Sequence, residues 1–190
     1  MKKLFTILVL GLSSQFLALG ALSSFQTYTG TVGVSTDGVA TLSPNGTVSA
    51  SVPVGSTVLK AYLYGASFDG NGGNIAGTLA GVNITYGAFV SQVPSCCGLG
   101  MRRADVTSIV KPVIDGGAGG VYDFDYTETF SPGQDGSALI VVYSNGSLAE
   151  STVAILDGFS NSSGDSFTAN FADPLAACGE TQEHVTLGMF

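Results

Sequence analysis

The sequence predicts an all-β fold: an antiparallel β-sandwich, jelly-roll-like, with about ten short strands and one short helix near residues 105–111. Three observations carry this. Short runs of Val, Ile, Thr, Tyr and Phe recur along the chain, several alternating with polar residues at the period of a strand. Gly, Asn, Asp and Pro punctuate those runs at close intervals. One run, Ala138 to Tyr143, is apolar at every position, so the strand it forms must be covered on both faces.

Gln26 to Val34 alternates Thr, Tyr and Val and reads as one strand, after which Asp37-Gly38 reads as a turn. Val39 to Leu42 is a short strand closed by Pro44-Asn45-Gly46. Thr47 to Val52 alternates polar and apolar residues, so one face is buried, and Pro53 with Gly55 ends it. Thr57 to Tyr64 is the second strongest strand, with Lys60 as its exception, at an edge or with its head turned outward. Asp69 to Gly73 is a turn-rich loop, and short strands follow at Thr78-Leu79, Val82 to Tyr86 and Ala88 to Val93.

Pro94 to Gly100 is a loop or strand end holding Cys96 and Cys97. Asp105 caps the expected helix, Val106, Ile109 and Val110 form its inner side, and Pro112 with Gly116-Gly117 ends it. In Val121 to Tyr126 the aromatics Tyr122, Phe124 and Tyr126 share one face and Asp123 and Asp125 the other. Asp135-Gly136 reads as a turn into the all-apolar strand. Asn145-Gly146 closes that strand, and Thr152 to Leu156 follows as its expected neighbour at the centre of the core. Ser166 to Phe171 and Val185 to Phe190 read as further strands.

Met1-Lys2-Lys3, an uncharged apolar run to Leu12, and Ala18-Leu19-Gly20 with small residues at the cleavage positions make residues 1–20 a secretory signal peptide. Gln15 interrupts the run, which is short for a membrane span. Residues 21–190 then form a single β-sandwich domain in a secreted, extracellular or cell-surface protein, with no membrane span after cleavage. Lys2 and Lys3 leave with the signal, so four cations remain beside fourteen acids and the mature net charge is −10. Such a surface repels nucleic acid and anionic membranes. Strand character persists to Phe190, which reads as a C-terminally shortened copy of a longer protein.

Three cysteines in a secreted chain predict one disulfide. Cys97 with Cys178 is the expected pair and Cys96 the alternative to Cys97, because neighbours on a strand point to opposite faces.

Four stretches occur in a recognisable order: Val52 to Tyr64, Arg103 to Ser108, Asp135 to Ser144 and Val153 to Phe159. Together they resemble a domain of secreted bacterial surface proteins, found in exoproteins with a PEP-CTERM sorting tail and in adhesin-like proteins with gliding-motility-type sorting. Ser163 to Phe167 and Phe171 to Pro174 are similar to the same family. The resemblance implies a non-catalytic structural or adhesive module whose partners are extracellular polysaccharide or cell-surface proteins. It implies no catalytic residues.

The residues themselves point to little chemistry. His184 is the sole histidine and the Gly-x-Ser-x-Gly elbow is absent, so a Ser-His-Asp triad has no framework. Asp123 and Asp125 lie about 7 Å apart on one strand face, which fits paired carboxylates but more often marks a solvated face. No catalytic residue is assigned. Calcium is the one cofactor the pattern admits, with Asp69, Asn71 and Asn74 as oxygen ligands on a flexible loop and Asp157 and Asp165 as a second acidic pair. Turn chemistry accounts for the same residues. Asn45, Asn83, Asn145 and Asn161 match the glycosylation acceptor pattern. Tyr122, Phe124 and Tyr126 could stack on sugar rings but are more often core. The alternative function is therefore a carbohydrate-binding module or glycan-active jelly-roll protein, calcium-dependent in one version.

Overall fold

The all-apolar strand lies in the middle of three layers. The computed structural model describes residues 22–40, 43–68, 75–93, 99–129 and 134–159. Its strands are β1 (Ser23–Gly30), β2 (Val32–Val39), β3 (Asn45–Val52), β4 (Thr57–Ser67), β5 (Gly77–Leu79), β6 (Val82–Asn83), β7 (Phe89–Val93), β8 (Leu99–Asp105), β9 (Gly120–Glu128), β10 (Gln134–Ser144) and β11 (Ser151–Asp157). One helix, α1 (Thr107–Asp115), follows β8. A five-stranded antiparallel sheet has the order β2-β10-β4-β8-β7. A four-stranded sheet, β3-β9-β5-β6, and a two-stranded ribbon, β1-β11, complete the set. The expected antiparallel all-β sandwich is present, and these orders do not by themselves define a jelly-roll.

Strand β10 shows why three layers are needed. Leu139, Val141 and Tyr143 pack into a cluster with Leu63 of β4, Val48 of β3, Phe124 and Tyr126 of β9, and Val110 and Ile114 of α1. Ala138, Ile140 and Val142 pack the opposite way, with Tyr62, Tyr64 and Ile155 and with Phe25, Tyr28 and Val153 of the ribbon. Leu139 and Val142 point to opposite faces and both are 0% exposed, so each face of the sheet is core. The aromatics Phe124 and Tyr126 are buried in the first cluster, with Tyr122 packed against it, and make no platform for sugar.

Several expectations change. Strand β11 follows β10 in sequence but does not pair with it; it pairs with β1 and stacks over the sheet instead. Asp37-Gly38 is not a turn: both residues pair with β10, and Asp37 Oδ2 accepts from Ser49 N of β3. Ser35 Oγ accepts from Ser51 N, so β2 side chains satisfy amides along the outer edge of β3. The run from Gln26 to Val34 is two strands, broken at Gly30-Thr31, where the chain passes from the ribbon to the sheet. Leu99 and Gly100 open a strand, the second of the two alternatives for the Pro94 to Gly100 segment, and it runs on to Asp105, where no strand was expected.

In β4 the pairing with β10 shifts between Val58 and Lys60, leaving Leu59 as the extra residue of a bulge. The bulge brings Val58, Ala61 and Leu63 into the same cluster. It also turns Lys60 toward Asp105, with 2.8 Å between Nζ and Oδ2.

Strand β8 pairs with β4 only from Tyr62 onward, and α1 takes its place beside the start of β4. Val58 N donates to Asp115 Oδ1, and Lys111 Nζ donates to Val58 O. Thr107 Oγ1 accepts from Ala61 N, and Val106 N donates to Ala61 O. A helix thus satisfies a strand edge that would otherwise carry open backbone groups. The N-cap residue is Val106 rather than Asp105 and has no side-chain cap; Asp105, one position earlier, accepts from Thr107 N. Pro112 does not end the helix, which runs to Asp115 with Val110 and Ile114 buried. The ring removes one amide from the ladder, and the buried side chains on either side keep the last turn in place.

Burial alone would raise Asp105 and Asp115. The hydrogen bonds from Lys60 and Thr107 to the first, and from Lys111 and Val58 to the second, outweigh it and hold both carboxyls below their ordinary value. A depressed folded-state value means stability that is fully present above the ordinary value and lost as pH falls through the folded one. Acid titration of the wild type should therefore show a loss of stability that the Asp105→Asn/Asp115→Asn variant lacks over the same interval; parallel curves would contradict this. Leu139→Ala and Ile155→Ala should each cost about 2–5 kcal/mol in urea unfolding, since each empties a filled site on a different face. A change within about 0.5 kcal/mol for Ile155→Ala would mean that the ribbon face is not core.

Candidate functional site

Two arrangements stand out where the layers meet. The first is a cavity of about 400 Å³ at the end of the five-stranded sheet where β10 begins. Val39, Phe68, Leu99, Met101 and Phe159 give it apolar walls, with Asp135 and Ser137 as polar groups on one side. Its shape follows from the start of β10. The Asp135-Gly136 pair is not a turn; the register shifts between Gln134 and Gly136, which is a bulge inside the strand. Gly136 has φ +145, and a Cβ there would lie 2.6 Å from Val39 O, so only glycine lets β2 and β10 close at this end.

A buried hydroxyl and amide network backs the bulge. Ser137 Oγ donates to Tyr126 Oη at 2.6 Å, and Gln134 Nε2 donates to the same oxygen. Gln134 Oε1 accepts from Ala76 N at 3.2 Å. Tyr86 Oη is buried beside Tyr126 and Ser137 with no aligned hydrogen-bond partner among the described residues. Burial raises the Tyr126 and Tyr86 phenols, so both stay neutral. Glu128 is raised as well, by burial first and then by Asp135.

The second arrangement ties the ribbon to the sheet. Arg103 of β8 forms an ion pair with Asp157 at the end of β11, and both side chains are largely buried. Tyr64 Oη of β4 donates to the other carboxylate oxygen at 2.6 Å. The Arg103 guanidinium lies 3.2 Å from the centroid of Phe25 in β1, which itself meets Tyr62 edge-on with centroids 5.2 Å apart. Tyr28 Oη and Tyr62 Oη lie 3.0 Å apart. Burial, then the bond to Asp157, raises the Tyr64 phenol, so it remains the donor across the ordinary pH range. Each of these contacts joins a ribbon residue to a sheet residue.

Of the residues that sequence reasoning singled out, Asp69, Asn71 and Asn74, the cysteines Cys96, Cys97 and Cys178, His184, Asp165 and Asn161 lie outside the described residues. The signal segment lies outside them too. Among the described residues no group of three or more His, Cys, Asp or Glu is placed to hold a metal. Asp123 accepts from Ser49 Oγ at 2.7 Å, on the exposed face of the four-stranded sheet. Asp157, read as half of an acidic pair, is engaged by Arg103 and Tyr64. Asn145 is buried and satisfied: its Nδ2 donates to Val54 O and Ser56 Oγ, and its Oδ1 accepts from Ser147 N and Oγ. That sequon is therefore structural, whereas Asn45 and Asn83 are exposed.

Sequence reasoning missed Arg103, Tyr64 and Gln134. The signal available was a basic residue and two polar-tipped residues inside strand runs, and nothing in a linear pattern says which of them meet. Comparison with known protein families, curated proteins and solved structures gives no match.

Asp157→Ala should cost about 3 kcal/mol, because it leaves the Arg103 charge unpaired in the seam. Asp157→Asn should cost less, since Tyr64 keeps an acceptor. Denaturant titration of the two variants checks the order, and equal losses would show that charge is not what ties the ribbon down.

Proposed function

We propose that this chain is a non-catalytic extracellular module, structural or adhesive, of a bacterial surface or exopolysaccharide-associated protein. The observation that supports it most is where the charged side chains go. Lys60 pairs with Asp105, Lys111 with Asp115 and Arg103 with Asp157, each pair joining two elements or bracing the helix on β4. Arg102 donates to Gly87 O and stacks over Phe89 at 4.0 Å. The cations remaining after removal of the signal are thus engaged in holding strands, and the surface left to partners is acidic and rich in hydroxyls. Asp123, Asp125, Thr47, Ser49, Ser51 and Thr127 alternate outward from β3 and β9 as one polar sheet face. Such a face suits hydrated polysaccharide or protein better than an apolar ligand. The signal-peptide pattern and the resemblance to surface exoproteins favour the same reading. No helix among the described residues is long and apolar enough to cross a membrane.

A carbohydrate-binding role is the second reading, and the cavity favours it. Phe68 and Phe159 stand beside Asp135 and Ser137, which combines apolar faces with hydrogen-bonding groups.

The purified protein should turn over none of a panel of glycan, ester and peptide substrates. A reproducible hydrolase activity abolished by replacing a single acid, Asp135→Asn for instance, would overturn the first reading. A glycan array run with calcium and with a chelator separates the two: saturable binding lost on Phe68→Ala would favour the cavity. A melting temperature raised by calcium would add a bound cation to either.

A further inference from the structure

The run from Gln26 to Val34 keeps one strand phase, yet the molecule bends it at Gly30-Thr31. Tyr28, Val32 and Val34 all fall at even spacing across that corner, as they would in one uninterrupted strand. In the folded chain Thr31 alone joins β1, in the ribbon, to β2, at the edge of the five-stranded sheet. We propose that β1 is an exchangeable strand: the corner opens, β1 and β2 run on as a single strand, and β1 pairs with β11 of a second copy of this chain.

Three features support the exchange. Among the described residues the backbone ladder of β1 has one partner, β11, from Ser23 opposite Asp157 to Gly30 opposite Ser151. The side chains that anchor it, Phe25 and Tyr28, meet Arg103 and Tyr62. A second copy offers all of these contacts unchanged, so exchange costs only the association itself. Gly30 holds φ +127, with no atom within 4 Å of where a Cβ would stand. The neighbourhood therefore does not require glycine there; only the backbone conformation of the closed corner does. A one-residue connection is a short hinge of the kind that favours swapping. The closed form is held at the corner by two further contacts, Asn145 N donating to Thr31 O at 2.9 Å and Ser151 Oγ donating to Val32 O at 2.6 Å. The inference does not depend on the surface-module reading.

Thr27 and Ala154 face one another across the ladder and both are exposed, so cysteines there report where β1 sits. Thr27→Cys and Ala154→Cys proteins are mixed, warmed briefly, oxidised, and mapped by peptide mass for a 27–154 link, which can form only between copies. The double variant Thr27→Cys/Ala154→Cys serves as the control and should close within one chain. The expected result is a linked dimer in the mixture whose share of the chains rises about tenfold for a tenfold rise in concentration while it is the minor species. Gly30→Val should raise it by about tenfold more, because the closed corner strains any residue with a Cβ whereas a straight strand suits valine. A mixture without the 27–154 link, under conditions where the double variant closes, overturns the proposal. So does a Gly30→Val protein that loses stability without gaining linked dimer. Failure of the double variant to close would remove the β1-β11 pairing itself, and the proposal with it.

Discussion

Burial of the five-stranded sheet on both faces is the constraint from which the other features follow. Its central strands carry apolar side chains in both directions: Leu139 and Val141 one way, Ile140 and Val142 the other. One covering sheet would leave half of these in water, at a cost of about 1.5–3 kcal/mol for each large side chain left exposed. The four-stranded sheet and α1 cover one face, and the β1-β11 ribbon covers the other. Among the described residues the ribbon has two strands, too few to stand alone. It exists because the sheet beneath it needs a cover, and the sheet stays dry because the ribbon is there.

Layering creates open strand edges and seams, and polar side chains close those the structure defines. Helix α1 satisfies the edge of β4 that β8 does not reach, through Asp115, Lys111 and Thr107. Asp37 and Ser35 of β2 satisfy the edge of β3. Arg103, Asp157 and Tyr64 close the seam under the ribbon. The charged groups thus have architectural work, and among the described residues the outward features left are an acidic, hydroxyl-bearing sheet face and a cavity with a carboxylate at its side.

How much of this could be read from the linear chain varies with the kind of signal. The all-β class, the double coverage of Ala138 to Tyr143, the inward face of Phe124 and Tyr126, and the helix after Asp105 were legible. Each is a local pattern whose burial follows from period and polarity alone. The candidate site was hardly legible. Asp135-Gly136 and Asp37-Gly38 carry the composition of turns, and both sit inside strands. In the first, Gly136 serves a bulge; in the second, the Asp37 carboxylate finds Ser49 on a neighbouring strand.

The sequence by itself determined the all-β class, which faces of its main runs are apolar and that one strand needs covering twice, since these depend on neighbours within a few residues. The tertiary structure alone decided that β11 leaves β10 to pair with β1, more than 120 residues away, and that Arg103 finds Asp157. A period-two pattern states that a face is buried without naming the surface that buries it. Any apolar sheet face satisfies the hydrophobic requirement, and the choice among them falls to connection length, bulge placement and the pairing of the few buried charges.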